Sequence, residues 1–137
     1  MLTNVFAATF AALLTASVPP AIHVVTVYDR AADVNAQCFS AAPDHTTYVS
    51  SGDIDAMWLR DSSAQAMSYL RDRALVRGVI ARQGRMIAID PHANAFYRDY
   101  GVAEEKFELD SLAYPVRLVD RYVKTTADTS VYTPAFH

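Results

Sequence analysis

A short segment in the middle of the chain gathers the side chains best suited to chemistry on a polar ligand. Residues 52–65 contain three aspartates, one arginine, one tryptophan and two serines. Carboxylates only accept hydrogen bonds and a guanidinium only donates them, so Asp61 and Arg60 together can satisfy a hydroxyl group in both directions. Trp58 adds a flat apolar face with an N–H on its edge. This combination is typical of a pocket for a sugar ring, which has hydroxyls around its rim and C–H groups on its faces.

Each of these side chains also has a purely structural interpretation. Asp61 near a helix N-terminus would offset the positive end of the helix dipole, with Arg60 as its ion-pair partner. Trp58 would then be a core aromatic. Asp53 and Asp55 alternate along an extended run and point in opposite directions, so at most one of them faces a pocket and the other braces the loop. The residue types alone leave both interpretations open.

The same segment is similar to a known family. The sequence SGDIDAMWLRDSSAQ, residues 51–65, resembles the signature of glycoside hydrolase family 125, the exo-acting α-1,6-mannosidases. Three further stretches resemble the family's next blocks in the same order: residues 79–96 (VIARQGRMIAIDPHANAF), 105–118 (EKFELDSLAYPVRL) and 125–132 (TTADTSVY). Four similar blocks in the same order are hard to explain by chance.

The resemblance implies an activity. Family members remove a terminal α-1,6-linked mannose with inversion, without a metal ion and without any other cofactor. The implied substrate is an α-mannoside oligosaccharide or a glycan derived from N-linked glycans. Inverting hydrolysis needs one carboxyl group to protonate the leaving oxygen and another to activate water. In the family both lie in later blocks, so we expect no catalytic residue within residues 1–137 and no activity from this chain alone.

The resemblance also implies a set of substrate-binding residues in this sequence: Asp55, Trp58, Arg60, Asp61, His92, Asn94 and Asp110. His92 stands where relatives usually carry tyrosine, and its alternative is an exposed loop histidine. Asn94, together with Asp90, has the alternative of a turn former that orients the loop. Asp110 has the alternative of a helix N-cap, which is compatible with binding. The tryptophan and arginine that relatives carry at the start of the block around Asp110 have no equivalents at residues 103–106.

The fold implied by the resemblance is mainly α, an (α/α)6 barrel of six helical hairpins. At the usual helix length this chain has room for about four or five helices, which is roughly two to three hairpins of such a barrel. We therefore interpret residues 46–137 as the N-terminal part of an (α/α)6 glycosidase domain. Residues 1–45 form an uncertain N-terminal segment, and the whole chain resembles a fragment.

Hydrophobic spacing predicts where the helices lie. Apolar residues recur at helical intervals over residues 63–74, 75–89 and about 110–125. Ser62 and Gln65 have the spacing of a capping box at the start of the first of these helices. No strand alternation is evident after residue 55, so the rest of this half is expected to be loop.

The N-terminal part follows other patterns. Residues 22–28 are rich in β-branched side chains and predict a strand. Residues 1–18 are apolar and rich in alanine and threonine. They resemble either a signal peptide, within residues 1–20, or a buried first helix. The protein would be secreted or periplasmic in the first case and cytoplasmic in the second. Fewer than 20 apolar residues, interrupted by threonines, do not predict a membrane span.

Charge and cysteine content exclude several classes of partner. The net charge is −3 and no run of lysine or arginine occurs, so nucleic acid is not an expected partner, and neither is a membrane. Cys38 is the only cysteine, which excludes an internal disulfide. No zinc-type spacing of cysteine or histidine is present, so no metal site is expected.

Two alternative functions remain open at this point. One is a different glycosidase with the same barrel, such as a glucosidase or a relative of trehalase, since fold alone does not determine function. The other is an inactive helical remnant or interaction module.

Overall fold

The computed structural model describes residues 33–133, and the strands and helices below belong to a unit that begins at Val34. Residues 33–37 are helical. The predicted strand over residues 22–28 and the signal-peptide interpretation of residues 1–20 lie outside the described residues.

A β-hairpin comes first. Strands β1 (Phe39–Ala41) and β2 (Thr47–Val49) pair in antiparallel fashion. The carboxylate of Asp44 closes the turn between them, because it accepts hydrogen bonds from the backbone N–H of Thr46 at 3.2 Å and from its hydroxyl at 2.6 Å. Aspartate commonly stabilises turns by bonding two residues onward in this way.

A second sheet joins the middle of the chain to a later loop. Its three short strands pair antiparallel in the order β3 (Met57–Trp58), β4 (Ala95–Phe96) and β5 (Val102–Glu104). Trp58 is opposite Ala95, and Ala95 is opposite Glu104. Since directly opposite residues project on the same face of a sheet, this register brings Trp58 and Glu104 to one face on either side of the central strand.

Three α-helices complete the described part: α1 (Leu59–Ala66), α2 (Arg73–Ile89) and α3 (Leu109–Thr126). A 3-10 turn, Met67–Tyr69, extends α1. Asp72 is the N-cap of α2, and its carboxylate accepts the backbone N–H of Leu75 at 3.0 Å. Helix α3 is followed by its C-cap residue Ala127, whose backbone is left-handed with φ 56°. The predictions of helices over residues 75–89 and about 110–125 are thus confirmed.

The first helix differs from the prediction of residues 63–74 at both ends, because α1 begins at Leu59 and ends at Ala66. Trp58 is the N-cap residue with extended backbone angles, so β3 runs directly into the helix. The predicted capping box of Ser62 and Gln65 is wrong, because Ser62 lies inside α1 and its hydroxyl donates to the carbonyl of Trp58 at 2.5 Å. The side-chain amide of Gln83 in α2 donates to the hydroxyls of Ser62 and Ser63 at 2.9 and 2.8 Å. These serines therefore connect α1 to α2 instead of capping α1.

The core forms where α2 packs against β2 and α3, and where α1 packs against α3. Gly78 allows α2 to approach β2 closely, because a Cβ at this position would lie 2.2 Å from the hydroxyl oxygen of Thr47. Arg82, on the same helix, is only 1% exposed. Its guanidinium donates to Thr46 at 3.0 Å and lies 4.2 Å from the ring centroid of Tyr100. A hydrogen bond and a cation–π contact thus compensate for the burial of this charge.

The predicted fold class, a mainly α partial (α/α)6 barrel of two to three hairpins, is wrong. The described residues combine helices with two small antiparallel sheets, one of two strands and one of three, which is a mixed α/β arrangement. The sheets are not predictable from the hydrophobic pattern, because strands of two or three residues are too short to show a period of two.

Candidate functional site

Trp58 lies at the point where β3 passes into α1, and two neighbours fix it there. Its backbone N–H donates to the hydroxyl of Ser51 at 3.0 Å, and its indole N–H donates to the carboxylate of Glu104 at 3.3 Å. The side chain is partly exposed. Because the indole donor is already engaged, what Trp58 can offer a ligand is the apolar surface of its ring.

Arg60, in the first turn of α1, lies close to three carboxylates, one from its neighbour Asp61 and two from the start of α3. One guanidinium nitrogen lies 3.3 Å from Asp61, and another lies 3.1 Å from Asp110 and 3.6 Å from Glu108. The hydrogen bond with Asp110 is the main cause of the raised pKa of Arg60, followed by the charge of Asp61. The Arg60 side chain is nevertheless 39% exposed, so it can still reach a ligand.

Asn94 and Lys106 hold the glutamates of the site in place. Asn94 is 1% exposed, and its amide donates to Glu104 and, at 3.4 Å, to Glu108. The ammonium of Lys106 lies 2.8 Å from Glu108. The hydrogen bond from Lys106 lowers the pKa of Glu108, with smaller contributions from Asn94 and Arg60. Glu108 is therefore held in its ionised form, as an acceptor without a proton to donate.

Part of this group of side chains lines an open depression of about 480 Å³. Arg60, Glu108 and Asp110 line its polar side, and Leu109 and Ala113 of α3 line its apolar side. A depression with both kinds of lining fits a ligand that has hydroxyls and C–H surfaces. The residues described so far are called the Arg60 cluster, defined as Trp58, Arg60, Asp61, Asn94, Glu104, Lys106, Glu108 and Asp110.

Most of the predicted binding residues meet in the Arg60 cluster: Trp58, Arg60, Asp61, Asn94 and Asp110. Asp110 is not the N-cap of α3, because that position belongs to Glu108 and Asp110 lies in the first turn. Its carboxylate points instead to Arg60. The arrangement shows proximity, and a role in binding sugar stays a prediction.

Asp55 takes a different partner. Its carboxylate pairs with Arg98 at 3.1 Å, and that hydrogen bond is the main cause of its lowered pKa. The guanidinium of Arg98 also lies 4.2 Å from the ring centroid of Tyr48. The observed contacts of Asp55 thus join its loop to the turn between β4 and β5, which is the bracing role considered for one of the two alternating aspartates.

His92 lies in an exposed turn at the margin of the site. Its backbone N–H donates to the carboxylate of Asp90 at 2.8 Å, so Asp90 acts as a turn former. The imidazole ring is 5.7 Å from the ring of Phe107, which precedes Glu108 in the chain. This position agrees with the loop interpretation, and a contact of His92 with substrate stays a prediction.

Three members of the cluster are not among the binding residues predicted from the sequence: Glu104, Lys106 and Glu108. The only available signal was the spacing of Glu108 and Asp110 just ahead of a helix. Glu104 could not have been found this way, because the register of two very short strands places it beside Trp58.

The remaining features of residues 33–133 concern metals and membranes. Within this range no group of three or more histidine, cysteine, aspartate or glutamate side chains is arranged to hold a metal ion. No helix in the same range is long and apolar enough to cross a membrane.

Comparison with known proteins places the chain among the glycoside hydrolases. Residues 2–102 match the family described as metal-independent alpha-mannosidase (GH125). The chain therefore belongs to glycoside hydrolase family 125. The matched range contains Trp58, Arg60, Asp61 and Asn94 but ends before Glu104, Lys106, Glu108 and Asp110.

Two known proteins are similar to this chain. The chain is 34% identical, over 124 aligned residues, to the meiotically up-regulated gene 157 protein of Schizosaccharomyces pombe, and the match covers 68% of this chain and 24% of that protein. It also resembles a solved metal-independent alpha mannosidase from Streptococcus pneumoniae, determined as a non-productive complex with alpha-1,6-mannobiose. That structure has 32% identity and a TM-score of 0.76, with 80% of this chain and 31% of the solved chain covered. The chain thus spans about a quarter to a third of the length of these relatives.

Proposed function

We propose that this chain supplies part of the sugar-binding wall of an exo-acting α-mannosidase that cleaves α-1,6-linked mannose with inversion and without a metal ion. The observation that carries the proposal is the Arg60 cluster, in which Arg60, Glu108 and Asp110 line one accessible depression and Trp58 belongs to the same hydrogen-bonded network through Glu104 and Asn94. Membership of family 125 and the likeness to a mannosidase that binds alpha-1,6-mannobiose support the same substrate class.

The exposure of the charged side chains suits hydroxyl recognition. Arg60 is 39% exposed, Asp61 43% and Asp110 47%. Their remaining donors and acceptors can bind both the hydrogen and the oxygen of a sugar hydroxyl. Bonds with one charged partner are stronger than bonds between neutral groups, so a few of them can orient a single ring.

Glu108 is poorly suited to proton transfer. A general acid must hold a proton near neutral pH, which requires a raised carboxyl pKa. Glu108 has a lowered pKa because of Lys106, Asn94 and Arg60. We therefore propose, with the family resemblance, that the general acid and general base lie outside residues 1–137 and that this chain alone does not hydrolyse the bond.

A binding titration tests the proposal on the chain itself. Trp58 is the only tryptophan, so intrinsic fluorescence reports directly on the site. We expect a saturable change on titration with α-1,6-mannobiose and none with maltose, which offers glucose in its place. Equal responses to the two disaccharides would indicate a glucosidase-type relative. A folded chain that responds to neither would indicate the inactive remnant or interaction module.

A further inference from the structure

Gly52 lies directly against the ring of Trp58. A Cβ built on Gly52 would be 2.5 Å from Cζ3 of the indole, 2.9 Å from Cε3 and 3.1 Å from Cη2. These are three consecutive carbons of the six-membered ring. A Cβ that lay in the ring plane beyond Cζ3 would be clearly farther from Cε3 and Cη2 than these distances. The distances therefore place such a Cβ above one face of the ring.

The backbone at Gly52 adds a second requirement for glycine. Its φ is +128°, a conformation that residues with a side chain rarely adopt. The residue therefore combines a glycine-only backbone with a close approach to an aromatic face. The Gly52 backbone lies against one face of the indole, Glu104 takes the N–H edge, and the Trp58 side chain is still partly exposed.

We infer that Gly52 is a positioning residue: its lack of a side chain lets the Trp58 ring lie on the loop backbone and present its remaining surface to one C–H face of a mannose ring. This inference rests on the proposed function for its ligand, but the contact between Gly52 and Trp58 is independent of it. Any side chain at residue 52 must displace either the indole or the loop backbone, because a Cβ contact of 2.5 Å is shorter than carbon atoms tolerate.

The test compares Gly52→Ala with the unchanged chain. Iodide quenching and the emission maximum of Trp58 report ring position, far-UV circular dichroism and urea denaturation report folding, and calorimetric titration with α-1,6-mannobiose reports affinity. Gly101→Ala is the matched control, since a Cβ there would first meet a side-chain oxygen of Asp99, at 3.1 Å. We expect Gly52→Ala to increase quenching and to weaken affinity by about tenfold, the loss of one aromatic contact, while Gly101→Ala changes neither.

A double-mutant cycle separates ring positioning from backbone strain. If Gly52 acts through the indole, Gly52→Ala combined with Trp58→Ala binds no more weakly than Trp58→Ala alone. Full additivity of the two losses, or unchanged quenching and affinity in Gly52→Ala, overturns the inference. If Gly52→Ala does not fold, restoration of folding by Trp58→Ala supports the ring contact, and failure to restore it overturns the inference. A change in quenching without any mannobiose binding by the unchanged chain rejects the proposed function but keeps the positioning role.

Discussion

Replacing Arg60 by glutamine distinguishes a binding role from a structural one. Glutamine retains a polar amide but removes the positive charge that faces Asp61 and Asp110 at 3.3 and 3.1 Å. We expect a small decrease in the free energy of unfolding and a large decrease in mannoside affinity.

The expected magnitudes follow from exposure. The Arg60 side chain is 39% exposed, and its aspartate partners are 43% and 47% exposed. Ion pairs in such positions are screened by water and contribute about 0.2–1 kcal/mol each, so loss of the two aspartate pairs and of the longer contact with Glu108 should lower the free energy of unfolding by roughly 1–2 kcal/mol. A hydrogen bond from a charged group to a bound ligand contributes about 1.5–3 kcal/mol, which corresponds to a roughly 10- to 100-fold loss of affinity.

Urea denaturation at constant ionic strength and calorimetric titration with α-1,6-mannobiose measure the two effects. Lys124→Gln is the matched control, because it removes the same charge from an exposed pair with Asp120 at 2.8 Å, outside the Arg60 cluster. A loss of stability above about 3 kcal/mol with unchanged affinity would refute the reasoning, since that size is expected for a buried pair rather than an exposed one.

Three further substitutions test separate features. Asp61→Ala should weaken mannobiose binding and leave the melting temperature nearly unchanged; a melted protein with normal affinity would mean that Asp61 only stabilises the helix end. Gly78→Ala should lower the free energy of unfolding by about 1–3 kcal/mol, because its Cβ would lie 2.2 Å from Thr47, and Gly101→Ala is the control in urea denaturation. Burial disfavours the charged phenolate and raises the pKa of Tyr48 from 10.0 to about 12. The contribution of neutral Tyr48 to the free energy of unfolding is therefore complete below pH 10 and is lost as pH rises towards 12. Tyr48→Phe should therefore reduce the loss of stability between pH 10 and pH 12 by roughly 2–3 kcal/mol, measured by urea denaturation at each pH. The same dependence of stability on pH in both proteins would contradict the raised pKa of Tyr48.

The helices were the most predictable part of the fold. Helix α2 carries an apolar stripe along residues 73–89, and most of that stripe is buried. Helix α1 begins four residues before its predicted start, because the sequence favours Ser62 as a cap whereas its hydroxyl bonds back to the preceding turn inside the helix. Serine permits both patterns, and only the packing of Gln83 against α1 distinguishes them.

The strands could not be predicted from local pattern. Ala95 and Phe96 form the central strand of a sheet although they follow a segment rich in turn formers. Pairing with β3 on one side and β5 on the other determines their conformation, and both contacts are distant in sequence. The expectation of a mainly α fold was wrong for this reason.

The candidate site was predictable to the extent that it is local. Trp58, Arg60 and Asp61 are neighbours in the chain, and their chemistry was evident from residue types. The positions of Glu104 and Glu108 depend on strand register and on the start of α3, so the sequence alone could not place them beside Arg60.

The way the cluster is held favours recognition over proton transfer. Trp58 is fixed by the sheet and by Gly52, while Asn94 is buried and orients both glutamates. A surface fixed before the ligand arrives loses little conformational entropy on binding, which increases affinity without any additional contact. General acid catalysis instead requires a carboxyl group whose surroundings favour the protonated form. Around Glu108 the neighbours Lys106 and Arg60 favour the ionised form, so in the proposed mannosidase this surface would hold the sugar while groups elsewhere transfer the protons.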